Sequence, residues 1–266
     1  MLSNNTDLLK LKSKKVFFFD LDGTLYLGNK LFEGVLKLIE LLKSQKKEFF
    51  FLSNNSSRST SEYLEKLKKH GLNITQENII LSQHPTIDYL KENNYKKIFL
   101  MGNQSLKEEF QQNGLEIVEE NPEILVLAFD QELTYDRLVK ASYLLQSDIP
   151  YIATHPDDRC PTEDGYIPDA GGIAALLAKA TNRMPKVFGK PNKEMLLFKL
   201  QQLKISPTDA VMFGDRLYTD IRMGLDAGVT TCCVLSGETT LDMIKQSEFK
   251  PDLIINGIWE LFETIK

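Results

Sequence analysis

Val16-Phe-Phe-Phe-Asp20-Leu-Asp22-Gly-Thr-Leu25 is an apolar run that stops abruptly on two acids. Four consecutive residues of strong β-propensity, with no polar alternation, predict a strand buried on both faces. Such strands belong to parallel sheets, where ligands bind outside the carboxyl ends. Asp20 and Asp22 fall at that end, one residue apart, so their side chains point to the same side. Two like charges held close push their proton affinities apart, so that one stays ionised while its neighbour carries a proton. That division suits Asp20 as a nucleophile and Asp22 as general acid and base. Read alone, the pair is equally a metal-binding or turn-forming feature. Gly23 favours chemistry, because it allows a tight exit from the strand.

The same pattern repeats outward. Val35, Leu38, Ile39 and Leu42 recur at helical spacing, and Glu48-Phe-Phe-Phe-Leu-Ser53 reads as a second strand. Strand-like runs return at 79–81, 97–101, 124–129, 151–154, 210–214, 231–235 and 252–255, with helical stretches at 61–70, 135–146, 173–180 and 192–203. Alternation of this kind predicts an α/β protein with a parallel sheet covered by helices. Residues 157–169, rich in Pro, Asp and Gly, read as a loop.

Bulk composition narrows the function. A chain of 266 residues fits one large domain or two modest ones, and a formal charge of -5 argues against a nucleic-acid polymer as partner. Its apolar runs are far shorter than the ~20 residues needed to cross a bilayer. The first fifteen residues lack the apolar core of a signal peptide. Three cysteines, two of them adjacent, give neither a disulfide framework nor zinc-ligand spacing. We expect reduced, structural cysteines and a cytoplasmic location.

Three more segments carry candidate chemistry. Ser53-Asn54-Asn55 ends the second strand, where a hydroxyl and successive N–H groups could hold phosphate oxygens. Helix capping is the stronger reading of Ser53 alone, and Ser59-Thr-Ser-Glu62 fits a capping box. Lys190, before a helical stretch opened by Pro191, would make an anion site there. Gly214-Asp215-Arg-Leu-Tyr-Thr-Asp220 follows another strand, and carboxylates without nearby histidine or cysteine suit a hard cation such as Mg2+. Helix capping by Asp215 and Asp220 is an equal alternative. Electrostatics links the segments: a carboxylate approaching a phosphate ester meets repulsion of ~4 kcal/mol per pair of charges at 4 Å and an effective dielectric near 20. A divalent ion and one lysine reverse that sign.

With these segments in order, the chain resembles the haloacid dehalogenase superfamily, and within it the NagD-type, p-nitrophenylphosphatase-like class IIA phosphatases. Cys160-Pro-Thr-Glu-Asp-Gly165 and Ile167-Pro-Asp-Ala-Gly171 also resemble that family's cap loop. The resemblance implies a doubly wound, mostly parallel, Rossmann-like core formed by 1–82 and 185–266, with an α/β cap inserted at 83–184. It implies a magnesium-dependent phosphatase acting on a small phosphorylated molecule through an aspartyl-phosphate on Asp20. Asp22 would be the acid/base, with its carbonyl on the metal. Ser53 would hold the phosphoryl group, with Asn54 and Asn55 shaping its cradle. Lys190 would steady Asp20, Asp215 would ligate Mg2+, and Asp220 would orient the metal's surroundings. Caps in this family often mediate dimers, which leaves a homodimer open. Two positions depart from the usual pattern: Arg216 stands where many relatives carry asparagine, and His155 where asparagine is common. His155 is carried as a candidate substrate contact.

Rival readings are a phosphate-binding or regulatory protein of the same fold, a phosphotransferase or mutase, a dehalogenase, and a signalling receiver domain. A binding module has no need of a paired acid/base, and a dehalogenase none of Asp22. A receiver lacks both the second acid and the insertion.

Overall fold

The computed structural model describes residues 2–28, 30–162 and 164–266, and these form two compact units. The first comprises 1–53, 64–80 and 190–266, and the second 54–63 and 81–189. The insertion expected at 83–184 lies inside the second unit, which also takes in 54–63, 81–82 and 185–189.

The sheet of the first unit has six strands in the order Leu253–Ile255, Thr230–Val234, Ala210–Gly214, Val16–Asp20, Glu48–Ser53, Ile79–Leu81. Pairing is parallel from the first of these through Glu48–Ser53. Chain order runs outward one way from Val16–Asp20 and then outward the other way from Ala210–Gly214. This is the doubly wound 3-2-1-4-5-6 order, whose reversal opens a crevice between its two central strands. The aromatic run explains why Val16–Asp20 sits at the centre. Phe17, Phe18 and Phe19 are all fully buried; Phe19 stacks on Phe213 at 5.0 Å and Phe18 meets Phe50 at 5.6 Å. Each buried ring contributes roughly 2–3 kcal/mol of transfer free energy. Helix Val35–Ser44 buries the four residues that its periodicity singled out. Cys232 and Cys233 are free thiols buried in Thr230–Val234.

The second unit holds a five-stranded sheet in the order Lys186–Val187, Tyr151–Ala153, Ile124–Leu127, Lys97–Met101, Glu116–Ile117, with parallel pairing throughout. Helices Gln83–Glu92, Gln104–Gln112, Tyr135–Leu145 and Ala170–Thr181 accompany it. The stretch expected to be loop contains an antiparallel hairpin, Arg159–Thr162 with Gly165–Pro168. Glu163, part of the quoted cap-loop motif, lies outside the described residues. Ser59 and Glu62 do form a reciprocal capping box: the Ser59 amide donates to Glu62 Oε2 at 2.8 Å, and the Glu62 amide to Ser59 Oγ at 3.4 Å. No helix among the described residues is long and apolar enough to cross a membrane.

Candidate active site

The parallel register brings the sequence motifs together. Phe19 is level with Phe213 and Asp20 with Leu52, so Asp20, Ser53 and Asp215 all emerge at one edge of the sheet. The crevice at the order reversal lies between the strands that deliver Asp20 and Asp215. Gly23 makes the turn that follows. Its φ of +85° is open to glycine, and a Cβ there would lie 2.4 Å from Asp215 Oδ2.

Lys190 is buried, and its ammonium donates to Asp20 Oδ1 and, at 2.7 Å, to Asp220 Oδ1. Burial alone would push the ammonium down. The facing carboxylates of Asp20 and Asp220 outweigh it and hold the group above the ordinary lysine range. Asp220 sits in a π-helical turn, Leu217–Ile221, between the strand Ala210–Gly214 and the helix Arg222–Ala227. Such turns cluster at functional sites because they re-aim a side chain. Here Asp220 Oδ2 takes the amide of Arg216 at 3.2 Å while Oδ1 takes Lys190. The sequence left capping open for Asp220; its side chain instead anchors the lysine.

Asp215 is buried as well. Its Oδ2 accepts the Glu238 amide at 2.7 Å, while its buried Oδ1 has no hydrogen-bond partner. Carboxylate oxygens of Asp20, Asp215 and Asp220 lie within 4.8 Å of one another. At that distance each ionised pair repels by ~3 kcal/mol at an effective dielectric of 20. Burial, with the charges of Asp20 and Asp220 adding to it, pushes the Asp215 carboxyl up to about 8. Burial also pushes Asp220 up, to about 6, against the pull of Lys190.

Two of the three acids share one lysine, and the third, Asp215, is left with one buried acceptor oxygen. That donor set fits a hard divalent cation, which prefers carboxylate and carbonyl oxygens. The pocket is also shaped for a close approach to Asp215, since a Cβ on Gly237 would fall 2.0 Å from its Oδ2.

Asp22 stands apart from this group. It is exposed, and its Oδ2 accepts the hydroxyl of Tyr26 at 3.2 Å. Ser53 is buried at its strand end. Asn54 and Asn55 belong to the second unit, where the Asn54 amide lies 3.2 Å from both carboxylate oxygens of Asp157 and Asn55 Oδ1 accepts from the amide and hydroxyl of Ser57. Both side chains are engaged within that unit. His155, carried as a candidate substrate contact, is wholly buried. Its ring lies between Asp157 at 3.7 Å and Asp169 at 3.4 Å, so it presents no surface to a ligand. Arg216 Nε lies 3.0 Å from Glu238 Oε2, which turns its charge to the loop beside Asp215.

Sequence reasoning missed that loop. Ser236 Oγ donates to the Gly23 carbonyl at 2.7 Å, and the Glu238 amide holds Asp215. The available signal was position: Ser236-Gly-Glu-Thr239 follows the strand Thr230–Val234, at the same sheet edge as the recognised motifs.

Comparison with known proteins agrees with this geometry. Residues 17–116 match the haloacid dehalogenase-like hydrolase family, and 187–261 match a HAD-hydrolase-like family. A 4-nitrophenylphosphatase from Thermotoga maritima is 39% identical, with a TM-score of 0.93 over 97% of this chain and 99% of its own. An acid sugar phosphatase of Staphylococcus haemolyticus is 29% identical, over 91% of this chain and 92% of its own. A glycerol phosphate phosphatase from Mycobacterium tuberculosis, solved in complex with magnesium, is 25% identical with a TM-score of 0.86, over 96% and 77%. By sequence and by structure alike, the chain belongs to the haloacid dehalogenase-like hydrolases, among the NagD and p-nitrophenylphosphatase members of that family.

Proposed function

We propose that this chain is a magnesium-dependent phosphatase that hydrolyses a small-molecule phosphate monoester, such as a sugar phosphate, a nucleotide or a similar metabolite, through an aspartyl-phosphate on Asp20. The observation that carries the reading is the buried Lys190 ammonium bonded to Asp20 and Asp220, with Asp215 in the same cluster. A purely structural ion pair has no use for a third buried acid with an unpartnered oxygen. The magnesium-bound relative and the relatives named as phosphatases support the same conclusion.

Asp20 and Asp215 would hold the ion with their carboxylates, and Asp22 with its backbone carbonyl. When bound, the ion supplies positive charge that offsets that of the nucleophile and the phosphoryl oxygens. Asp20 attacks phosphorus and the ester P–O bond breaks, while the Asp22 carboxyl passes its proton to the departing oxygen. Asp22, now a carboxylate, then takes a proton from water as that water attacks phosphorus and releases Asp20. Lys190 stays charged throughout and steadies Asp20 before attack. Ser53 is assigned to the phosphoryl oxygens, with backbone amides at Asn54 and Asn55. The second unit is assigned as the cap that selects the substrate, and His155 as a residue that holds the cap loop together.

The test is release of phosphate from p-nitrophenyl phosphate by purified protein, with and without Mg2+. Activity should require the ion, fall roughly 10³-fold or more in Asp20→Asn, and fall about 10²-fold in Asp22→Asn. Undiminished turnover by Asp20→Asn would rule out the aspartyl-phosphate.

A further inference from the structure

The loop that follows the two acids folds back on itself. The amide of Gly23 donates to the Tyr26 carbonyl at 2.8 Å, and Asp22 forms an isolated bridge with Tyr26. This return places the phenol of Tyr26 against the Asp22 carboxylate, 3.2 Å from Oδ2. Tyr26 itself is fully buried, and its ring stacks on His70 at 5.9 Å. From the helix Thr60–Lys69, Lys66 reaches the same phenol: its ammonium is 3.1 Å from the hydroxyl and 4.2 Å from the ring centroid. Asp22, Gly23, Tyr26, Lys66 and His70 all lie in the first unit.

Donor and acceptor chemistry fixes the direction of the chain. A lysine ammonium donates only, so the phenol oxygen accepts from Lys66. The phenol in turn donates to Asp22 Oδ2. That bond ties down Oδ2 and so sets the direction in which Oδ1 faces. We propose that Tyr26 is a positioning residue for the reaction, held by Lys66, that fixes the orientation of the Asp22 carboxyl through its bond to Oδ2. The proposal rests on the acid/base reading of Asp22 and adds what aims that carboxyl. An exposed carboxylate would otherwise turn freely, and only part of its orientations would deliver a proton.

The experiment compares p-nitrophenyl phosphate, whose leaving group needs little protonation, with phenyl phosphate, whose leaving group needs it. Tyr26→Phe and Lys66→Met are measured beside wild type and Asp22→Asn. Tyr26→Phe should lose about tenfold in kcat on phenyl phosphate, as for removal of one charge-assisted hydrogen bond, with at most about twofold on p-nitrophenyl phosphate and KM within about twofold on both. Lys66→Met should move the same way, and Lys66→Arg, which keeps a donor, should retain most of the rate. Equal losses on both esters, or none, would overturn the role of Tyr26; if Tyr26→Phe folds poorly, the two Lys66 variants decide by the same criterion. The Asp22→Asn control separates the two failures. A selective loss in Asp22→Asn without one in Tyr26→Phe defeats the positioning proposal alone, whereas its absence in Asp22→Asn defeats the acid/base reading and the proposal with it.

Discussion

Asp215→Asn should stabilise the protein when no metal is bound, and the gain should grow with pH. The cause is burial of Asp215, to which crowding by Asp20 and Asp220 inside 4.8 Å adds, and together they raise its carboxyl to about 8. A carboxyl whose folded-state value lies above its unfolded one keeps its proton on folding. The stability it contributes is whole below about pH 4 and drains away as the pH climbs to about 8, by ~1.4 kcal/mol per unit. Across that window the loss would be on the order of 5 kcal/mol. Burial and two neighbouring charges, each worth ~3 kcal/mol at that distance, act in this direction, partly offset by the Glu238 amide and Arg216. Asparagine at 215 keeps an acceptor for the Glu238 amide and carries no charge, so it escapes the penalty. We expect about 3–5 kcal/mol in its favour at pH 8, or on the order of 10 °C in Tm, and almost none near pH 4. The assay is thermal unfolding in EDTA from pH 4.5 to 8.5, followed by the same series with excess Mg2+. Added magnesium should reverse the ranking, because wild type gains binding free energy that the variant has lost. A gap between the two proteins that stays flat with pH in EDTA would refute the reasoning.

Lys190→Met should act in the opposite sense, leaving Asp20 and Asp220 without their shared cation; the metal-free protein should melt lower than wild type at pH 7–8, and turnover of p-nitrophenyl phosphate should fall roughly 10³-fold or more. Gly23→Ala should cost roughly 1–3 kcal/mol from its positive φ, and should raise the Mg2+ concentration for half-maximal activity by pressing on Asp215. A denaturant melt and a magnesium titration read the two effects separately, and a variant with wild-type values in both would show that the turn tolerates a side chain.

The parts of this molecule that announce themselves in sequence are those whose residues act through bulk properties. Val16–Asp20 and Glu48–Ser53 are apolar without alternation because both sheet faces are covered, and that pattern is visible in any window of five residues. Asp20, Lys190 and Asp215 were singled out in sequence and the structure brings them into one cluster, although capping was an equal reading of Asp215 by itself. The hairpin at 159–168 was not, because its strands are mostly exposed and its Pro- and Gly-containing sequence carries no period-two signal. The helix after Lys190 starts at Glu194 rather than Asn192, where the asparagine side chain accepts the Glu194 amide and forms a turn of its own. The loop Ser236–Thr239 contributes a backbone amide and a serine hydroxyl, and backbone amides are the same at every residue. The pairing of Tyr26 with Asp22 depends on a return of the chain that no periodicity encodes.

The stability prediction and the aromatic core are two sides of one arrangement. Three carboxylates at the sheet edge repel by several kcal/mol when ionised and unoccupied, which would splay the strand ends of an ordinary sheet. Directly beneath them, Phe17, Phe19, Phe51 and Phe213 are buried, with Phe19 in contact range of both Phe51 and Phe213 at 6.3 and 5.0 Å. Their burial, at roughly 2–3 kcal/mol per ring, is of the same size as the repulsion above and is anchored to the same residues of the same strands. The rings thus anchor the strands whose ends carry the acids. Acids gathered in this way favour positive charge beside them, which is what the proposed attack of Asp20 on a phosphate ester would need.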